Sequence, residues 1–164
     1  MNTSLLKKIA VATLLAGTFF TASAALKVGD SLPDLASFKL VGKLPDSLKG
    51  KIVVVDFWAS WCLPCAKSFP VLDELQKKYG DRVVVLAVNV DEKAANMDKF
   101  LAKHPVSLTV VRDAEQKLVA VVEPATMPTS FILDGEGKVR FLHNGFHGED
   151  TRKEYVSEIE SLLK

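Results

Sequence analysis

Cysteine is scarce in this chain: 164 residues contain two, Cys62 and Cys65, with only Leu63 and Pro64 between them. A framework of several disulfides is therefore excluded, and one bridge closing so short a loop does little to restrict the unfolded chain. Chemistry explains such a pair better than stapling does. Histidine is equally sparse. His104, His143 and His147 stand at no ligand-like spacing from the cysteines, so a four-ligand zinc site is not expected. An excess of one charge is also missing: 21 basic against 20 acidic residues leave a net +1, which gives no electrostatic case for nucleic acid or an anionic membrane as partner. Internal repeats and low-complexity tracts are absent, which excludes a solenoid and long linkers. Long apolar runs are missing too, since the mainly apolar stretch Ile9 to Phe20 is 12 residues, short of a comfortable bilayer span.

That stretch has the layout of a secretory signal. Lys7 and Lys8 precede it, and Ala22-Ser23-Ala24 follows as a small-x-small cleavage site. The reading is a signal peptide over residues 1–24, cleaved after Ala24, with an uncleaved inner-membrane anchor as the alternative. No cysteine follows the apolar stretch to carry a lipid. The remainder, residues 25–164, suits one domain with a real core. Losing Lys7 and Lys8 turns the net charge from +1 to −1. Export implies a periplasmic, oxidising compartment.

Along residues 25–164 the pattern alternates strand and helix. Leu32 to Leu40 reads as a short extended region, with a hairpin expected across Val41-Gly42-Lys43. Ile52 to Phe57 is almost wholly apolar, as a strand buried on both faces would be. Phe69, Leu72, Leu75 and Tyr79 recur at helical spacing over Ala66 to Tyr79, ending at Gly80. Arg82 to Val90 predicts a second buried strand and Ala94 to Lys103 a helix. Leu108 to Val111 predicts a short strand, and Glu115 to Val122 another helix. Thr129 to Leu133 and Lys138 to His143 predict a hairpin turning at Asp134-Gly135-Glu136-Gly137, and Glu149 to Leu163 a final helix.

Cys62-Leu63-Pro64-Cys65 falls at the junction of a strand and a helix. A helix N-terminus carries partial positive charge and free N–H groups, which stabilise a thiolate on the first cysteine. Cys62 is therefore the expected nucleophile with an exposed sulfur, and Cys65, one turn inside, the resolving thiol. Asp56 stands in the apolar strand, where a carboxyl group is expensive to bury without a purpose. Desolvation would raise its pKa and suit it to exchange a proton with Cys65.

The block Val55-Asp56-Phe57-Trp58-Ala59-Ser60-Trp61-Cys62-Leu63-Pro64-Cys65 resembles the thioredoxin active site almost residue for residue. Pro70 falls where thioredoxins kink the first helix, and Met127-Pro128-Thr129-Ser130-Phe131 resembles the family's cis-proline loop entering a strand. The match runs from about Lys51 to Phe141. It implies a thioredoxin fold, a central mixed sheet flanked by helices. Sixty-two residues separate Cys65 from Pro128, longer than in thioredoxin by about one strand and one helix. With the leader and N-terminal extension, this insertion resembles the exported TlpA/ResA-type branch.

The resemblance implies a thiol–disulfide oxidoreductase cycling between a Cys62/Cys65 dithiol and disulfide, with no cofactor. It assigns Asp56 the proton exchange with Cys65, Pro128 the cis-proline that packs against the cysteines, and Met127 backbone pairing with substrate. Trp61 is read as a substrate contact, Trp58 as packing beneath the site, and Leu63 and Pro64 as tuning the potential. An apolar Leu63 adds no positive charge, which points to a reductant acting on protein disulfides. A membrane protein is the implied electron donor; a dithiol oxidase or isomerase is the alternative direction. A copper metallochaperone using the two thiols with His143 or His147 is a more distant alternative. Three positions depart from the family. Ala87 replaces a lysine near Asp56, Ser68 replaces a glutamate three residues after the second cysteine, and Thr129 replaces a glutamate after the cis-proline. The last two weigh against a dedicated role on apocytochrome c.

Overall fold

The computed structural model describes residues 25–164, so the proposed signal peptide lies outside the described residues. Its centre is a five-stranded sheet in the order β3-β2-β1-β4-β5. Strand β1 (Ile52–Trp58) lies parallel to β2 (Val83–Asn89), and β2 parallel to β3 (Thr109–Arg112). On its other side β1 pairs antiparallel with β4 (Thr129–Leu133), which pairs antiparallel with β5 (Val139–Asn144). Every residue of β1 and β2 is buried. This is the reason both strands read as apolar runs rather than as alternating ones.

Among the described residues four α-helices flank the sheet: α1 (Leu63–Tyr79), α2 (Ala94–Lys103), α3 (Lys117–Val122) and α4 (Glu149–Leu162). Cys65, Phe69, Leu72 and Leu75 form the buried stripe of α1. Phe69 packs edge-on to Trp58 with ring centres 4.7 Å apart, and Phe100 of α2 completes the cluster at 4.7 Å from Trp58. Trp58 thus lies fully buried under the site, as its sequence context implies. Pro70 stands inside α1, where it cannot donate to the carbonyl one turn back. Between α2 and the proline loop stand β3 and α3, a strand and a helix in the stretch where an insertion is expected. The β4–β5 hairpin turns where expected, with Asp134 accepting from the N–H groups of Glu136 and Lys138.

The N-terminal extension corrects one expectation. Instead of a hairpin across Val41-Gly42-Lys43, the segment makes a short 3₁₀ turn at Leu35–Ser37 and touches both rims of the sheet, by bridges from Ser31 to Lys138 and from Val41 to Arg112. Gly42 explains why. It has φ +127° and presses so closely on β3 that an added Cβ would lie 2.8 Å from the Val110 carbonyl oxygen. The glycine read as a hairpin turn is a docking point onto a neighbouring edge strand.

Candidate active site

The carboxyl end of β1 delivers the chain into a tight turn and then into α1. Asp91, buried just past β2, holds this turn. Its carboxylate accepts from the Ser60 N–H and hydroxyl, both at 2.9 Å, and from Asn89 Nδ2 at 2.8 Å. Cys62 is the N-cap of α1, and its Sγ accepts the Cys65 N–H at 3.1 Å. Cys62 and Cys65 are joined by a disulfide. The sulfur that the helix N-terminus would favour as a thiolate is therefore already aimed at helix N–H groups.

Exposure around the pair differs from the sequence expectation in one respect. Cys62 is not open to solvent: the residue keeps 5 % of its surface, because its sulfur is bonded to Cys65 and turned toward the helix, and Cys65 is fully buried. The surface at this point belongs to the neighbours. Trp61 is 71 % exposed and Leu63 69 %, an apolar pair on either side of Cys62. Pro64 occupies the second helical position, where its missing donor leaves nothing unsatisfied.

The Met127–Pro128 peptide bond is cis. Register places it at the same end of the sheet as the cysteines, because Thr129 pairs with Phe57 at the close of β1. Pro128 is buried and Met127 half-buried. The Pro128 carbonyl accepts from Gly145 N–H at 2.8 Å, while the Met127 N–H and carbonyl have no backbone partner among the described residues. Thr129 turns inward, donating to the Thr126 carbonyl at 2.8 Å. Ser68, also fully buried, donates back to the Cys65 carbonyl at 3.0 Å.

Asp56 is fully buried in β1. Its register partners are Ala87 on β2 and Ser130 on β4, and Ser130 in turn faces His143 on β5. The Ser130 hydroxyl donates to Asp56 Oδ1 at 2.5 Å and lies 2.7 Å from the Tyr155 hydroxyl of α4, while Asp56 Oδ2 has no hydrogen-bond partner among the described residues. Burial pushes the Asp56 carboxyl up to about 7, and the Ser130 hydrogen bond pulls it only partly back. Ala87 offers no cation. Burial, and next the nearby Asp56 charge, also raise the Tyr155 phenol above its ordinary range.

His143 does not stand free to join a metal site. Its Nε2 lies 2.6 Å from Glu158, its Nδ1 3.4 Å from Glu154, and its ring packs edge-on to Tyr155 at 4.8 Å. His104 lies against the Phe100 ring at 4.5 Å. The sequence reading did not single out Asp91, Ser130 or Tyr155. Ser130 carried a faint signal, a polar residue in an apolar strand, but its meaning depends on the β1–β4 register. Tyr155 carried none, since a tyrosine on a helix is ordinarily packing.

Comparison with known proteins agrees with this geometry. A thioredoxin-like family model matches residues 50–139. The thiol-disulfide oxidoreductase ResA of Geobacillus thermodenitrificans (strain NG80-2) is 32 % identical over 145 residues, covering 86 % of this chain and 83 % of that protein. ResA of Bacillus subtilis (strain 168) is 29 % identical over 143 residues, with 85 % and 80 % covered. Among solved structures, a Chlorobium tepidum protein described as a candidate thiol:disulfide interchange protein DsbE superposes with a TM-score of 0.77 at 38 % identity, over 85 % of this chain and 100 % of the other. With its Cys-x-x-Cys disulfide at a helix N-terminus, this chain belongs to the thioredoxin-like family and is a thiol-disulfide oxidoreductase of the ResA/DsbE type.

Proposed function

We propose that the protein is exported, works in the periplasm, and reduces disulfides in protein substrates. The observation that carries the direction is the pair of residues between the cysteines: Leu63 and Pro64 carry no charge, so this dipeptide adds nothing to the stabilisation that the α1 N-terminus gives a Cys62 thiolate. A modestly stabilised thiolate makes a weakly oxidising, strongly reducing dithiol. The leader-like residues 1–24 support export, and among the described residues no helix is long and apolar enough to cross a membrane.

In the forward cycle the Cys62 thiolate attacks one sulfur of a substrate disulfide. A Cys62–substrate mixed disulfide forms and the other substrate sulfur leaves as a thiolate. Trp61 and Leu63 give the incoming segment an apolar seat, and the open backbone of Met127 takes a substrate strand by edge pairing. Cys65 then passes its proton to Asp56 and attacks Cys62 Sγ. The Cys62–Cys65 disulfide forms, the second substrate sulfur departs as a thiolate, and a proton returns from Asp56 or water. Two electrons move from the dithiol to the substrate, so each turnover needs renewed reduction, for which a membrane dithiol protein is the implied donor.

The dithiol oxidase direction uses the same steps reversed. Equilibrating the Cys62/Cys65 couple against glutathione separates the two: a potential near the thioredoxin value of about −270 mV fits the reductant, and one near about −120 mV, that of a strong oxidant, overturns it. Cys65→Ser, which stalls the mixed disulfide, would capture the substrate protein. A copper carrier is disfavoured by the engagement of His143 with Glu158 and Glu154.

A further inference from the structure

Asp56 shows an asymmetry between its two oxygens. Oδ1 accepts the Ser130 hydroxyl at 2.5 Å; Oδ2 is buried and has no partner among the described residues. A buried carboxylate oxygen left unbonded costs free energy, so such an atom calls for an occupant during the working cycle. The hydrogen bonds around it run one way. Ser130 has a single hydroxyl proton and directs it at Asp56, so its oxygen must accept from Tyr155, 2.7 Å away. Tyr155, fully buried on α4, is thus the donor that opens the chain.

We infer that Ser130 and Tyr155 are positioning residues for the proton step: they clamp Oδ1 of Asp56 and reserve Oδ2 as the atom that takes the proton of Cys65. The inference rests on Asp56 being the proton acceptor proposed above. When the Cys65 S–H gives its proton to Oδ2, the carboxylate becomes a neutral acid and Cys65 a thiolate. The Ser130 O–H to Oδ1 bond survives that change, because Oδ1 remains an acceptor in both forms. The proton can therefore come and go with no rearrangement of Ser130 or Tyr155, in a site too closely packed for one.

The groups that face this carboxyl are few. From β4 there is Ser130, and from α4 Tyr155, with Glu154 and Glu158 beyond it. From β5, His143 is held by the two glutamates, and β2 offers only Ala87. Among the described residues Ser130 is the one neighbour that hydrogen-bonds the carboxyl, and no lysine or arginine is among these groups. Removing its hydroxyl must therefore raise the midpoint of Asp56.

The test is a ¹³C-carboxyl NMR titration of Asp56 in the oxidised protein, with the pH profile of mixed-disulfide release measured alongside. In Ser130→Ala both midpoints should move up together by roughly one pH unit. Tyr155→Phe should move them in the same direction by less, and Ser130→Thr should restore the original values. A purely structural role for the pair would lower melting temperature without moving either midpoint. Unmoved midpoints in Ser130→Ala and Tyr155→Phe overturn the inference. Its failure is separable from that of the proton-acceptor reading: Asp56→Asn with unchanged release defeats that reading, whereas slowed release in Asp56→Asn with unmoved midpoints in the hydroxyl variants defeats only the positioning role.

Discussion

Asp56 and Asp73 are both buried carboxyl groups, and their surroundings drive them in opposite directions. Asp73, on α1, is 8 % exposed; its Oδ1 accepts from the Ser107 N–H at 2.7 Å and hydroxyl at 2.6 Å, and its Oδ2 accepts from Lys77. Burial pushes its pKa up, but the Lys77 hydrogen bond, the two from Ser107 and the Lys77 charge together hold it below the ordinary carboxylate range. Asp56 has a single hydroxyl and no cation, so burial wins and its pKa climbs to about 7. Asp73 is a clasp, tying the segment ahead of β3 to α1 with every oxygen occupied. Asp56 is left half-satisfied, in the range where a carboxyl group can gain and lose a proton near neutral pH.

The largest effect that would sharpen this contrast is on stability. Folded Asp56 holds its proton between about pH 3.8 and about 7, while the unfolded chain has lost it, so the group costs stability as pH rises through that window. Asp56→Asn should therefore be more stable than the parent at pH 8, by at most about 4 kcal/mol at 1.4 kcal/mol per pH unit, with the gain shrinking as pH falls below about 7, under half of that at about pH 5 and gone near about pH 3. Urea unfolding at the three pH values checks it; equal stability at pH 8 would break the comparison. Asp73→Ala should show the reverse sign, a loss of about 1–3 kcal/mol at pH 7 from stranding Ser107 and Lys77, with release of the mixed disulfide unchanged. A smaller effect is expected from Ala87→Lys, which places an ammonium beside Asp56 in register and makes it more like Asp73. Carboxyl NMR should find the Asp56 midpoint lowered by about one unit or more, and an unmoved midpoint would show that the missing cation is not what separates the two carboxyls.

The sequence made the reactive half of this account legible because each signal there is local. Cys62 and Cys65 occupy adjacent turns of one helix, the apolar run before Asp56 announces a doubly buried strand, and Pro128 is recognised within its own loop. What escaped was decided by register and distance. Ser130 acquires its role only when β4 pairs with β1, and Tyr155 only when α4 folds back over that face. Asp91 reaches Ser60 across 31 residues of chain. Gly42 misled for the same reason: its positive φ is common in turns, but its cause is the approach of the β3 backbone, which no local pattern encodes. The exposed Cys62 expected from its place at the helix start gave way to a covered one, because its sulfur is bonded to Cys65 and turned toward the helix.

The central claim is that the two cysteines divide the work and that Asp56 serves only the second. Stopped-flow mixing of the reduced protein with a chromogenic disulfide resolves the two steps, attack by Cys62 and release by Cys65. In Asp56→Asn, release at pH 7 should slow by about 100-fold or more, the scale of a lost general base, while attack stays within about twofold of the parent. Release at the parent rate, or attack and release slowed equally, would contradict the account.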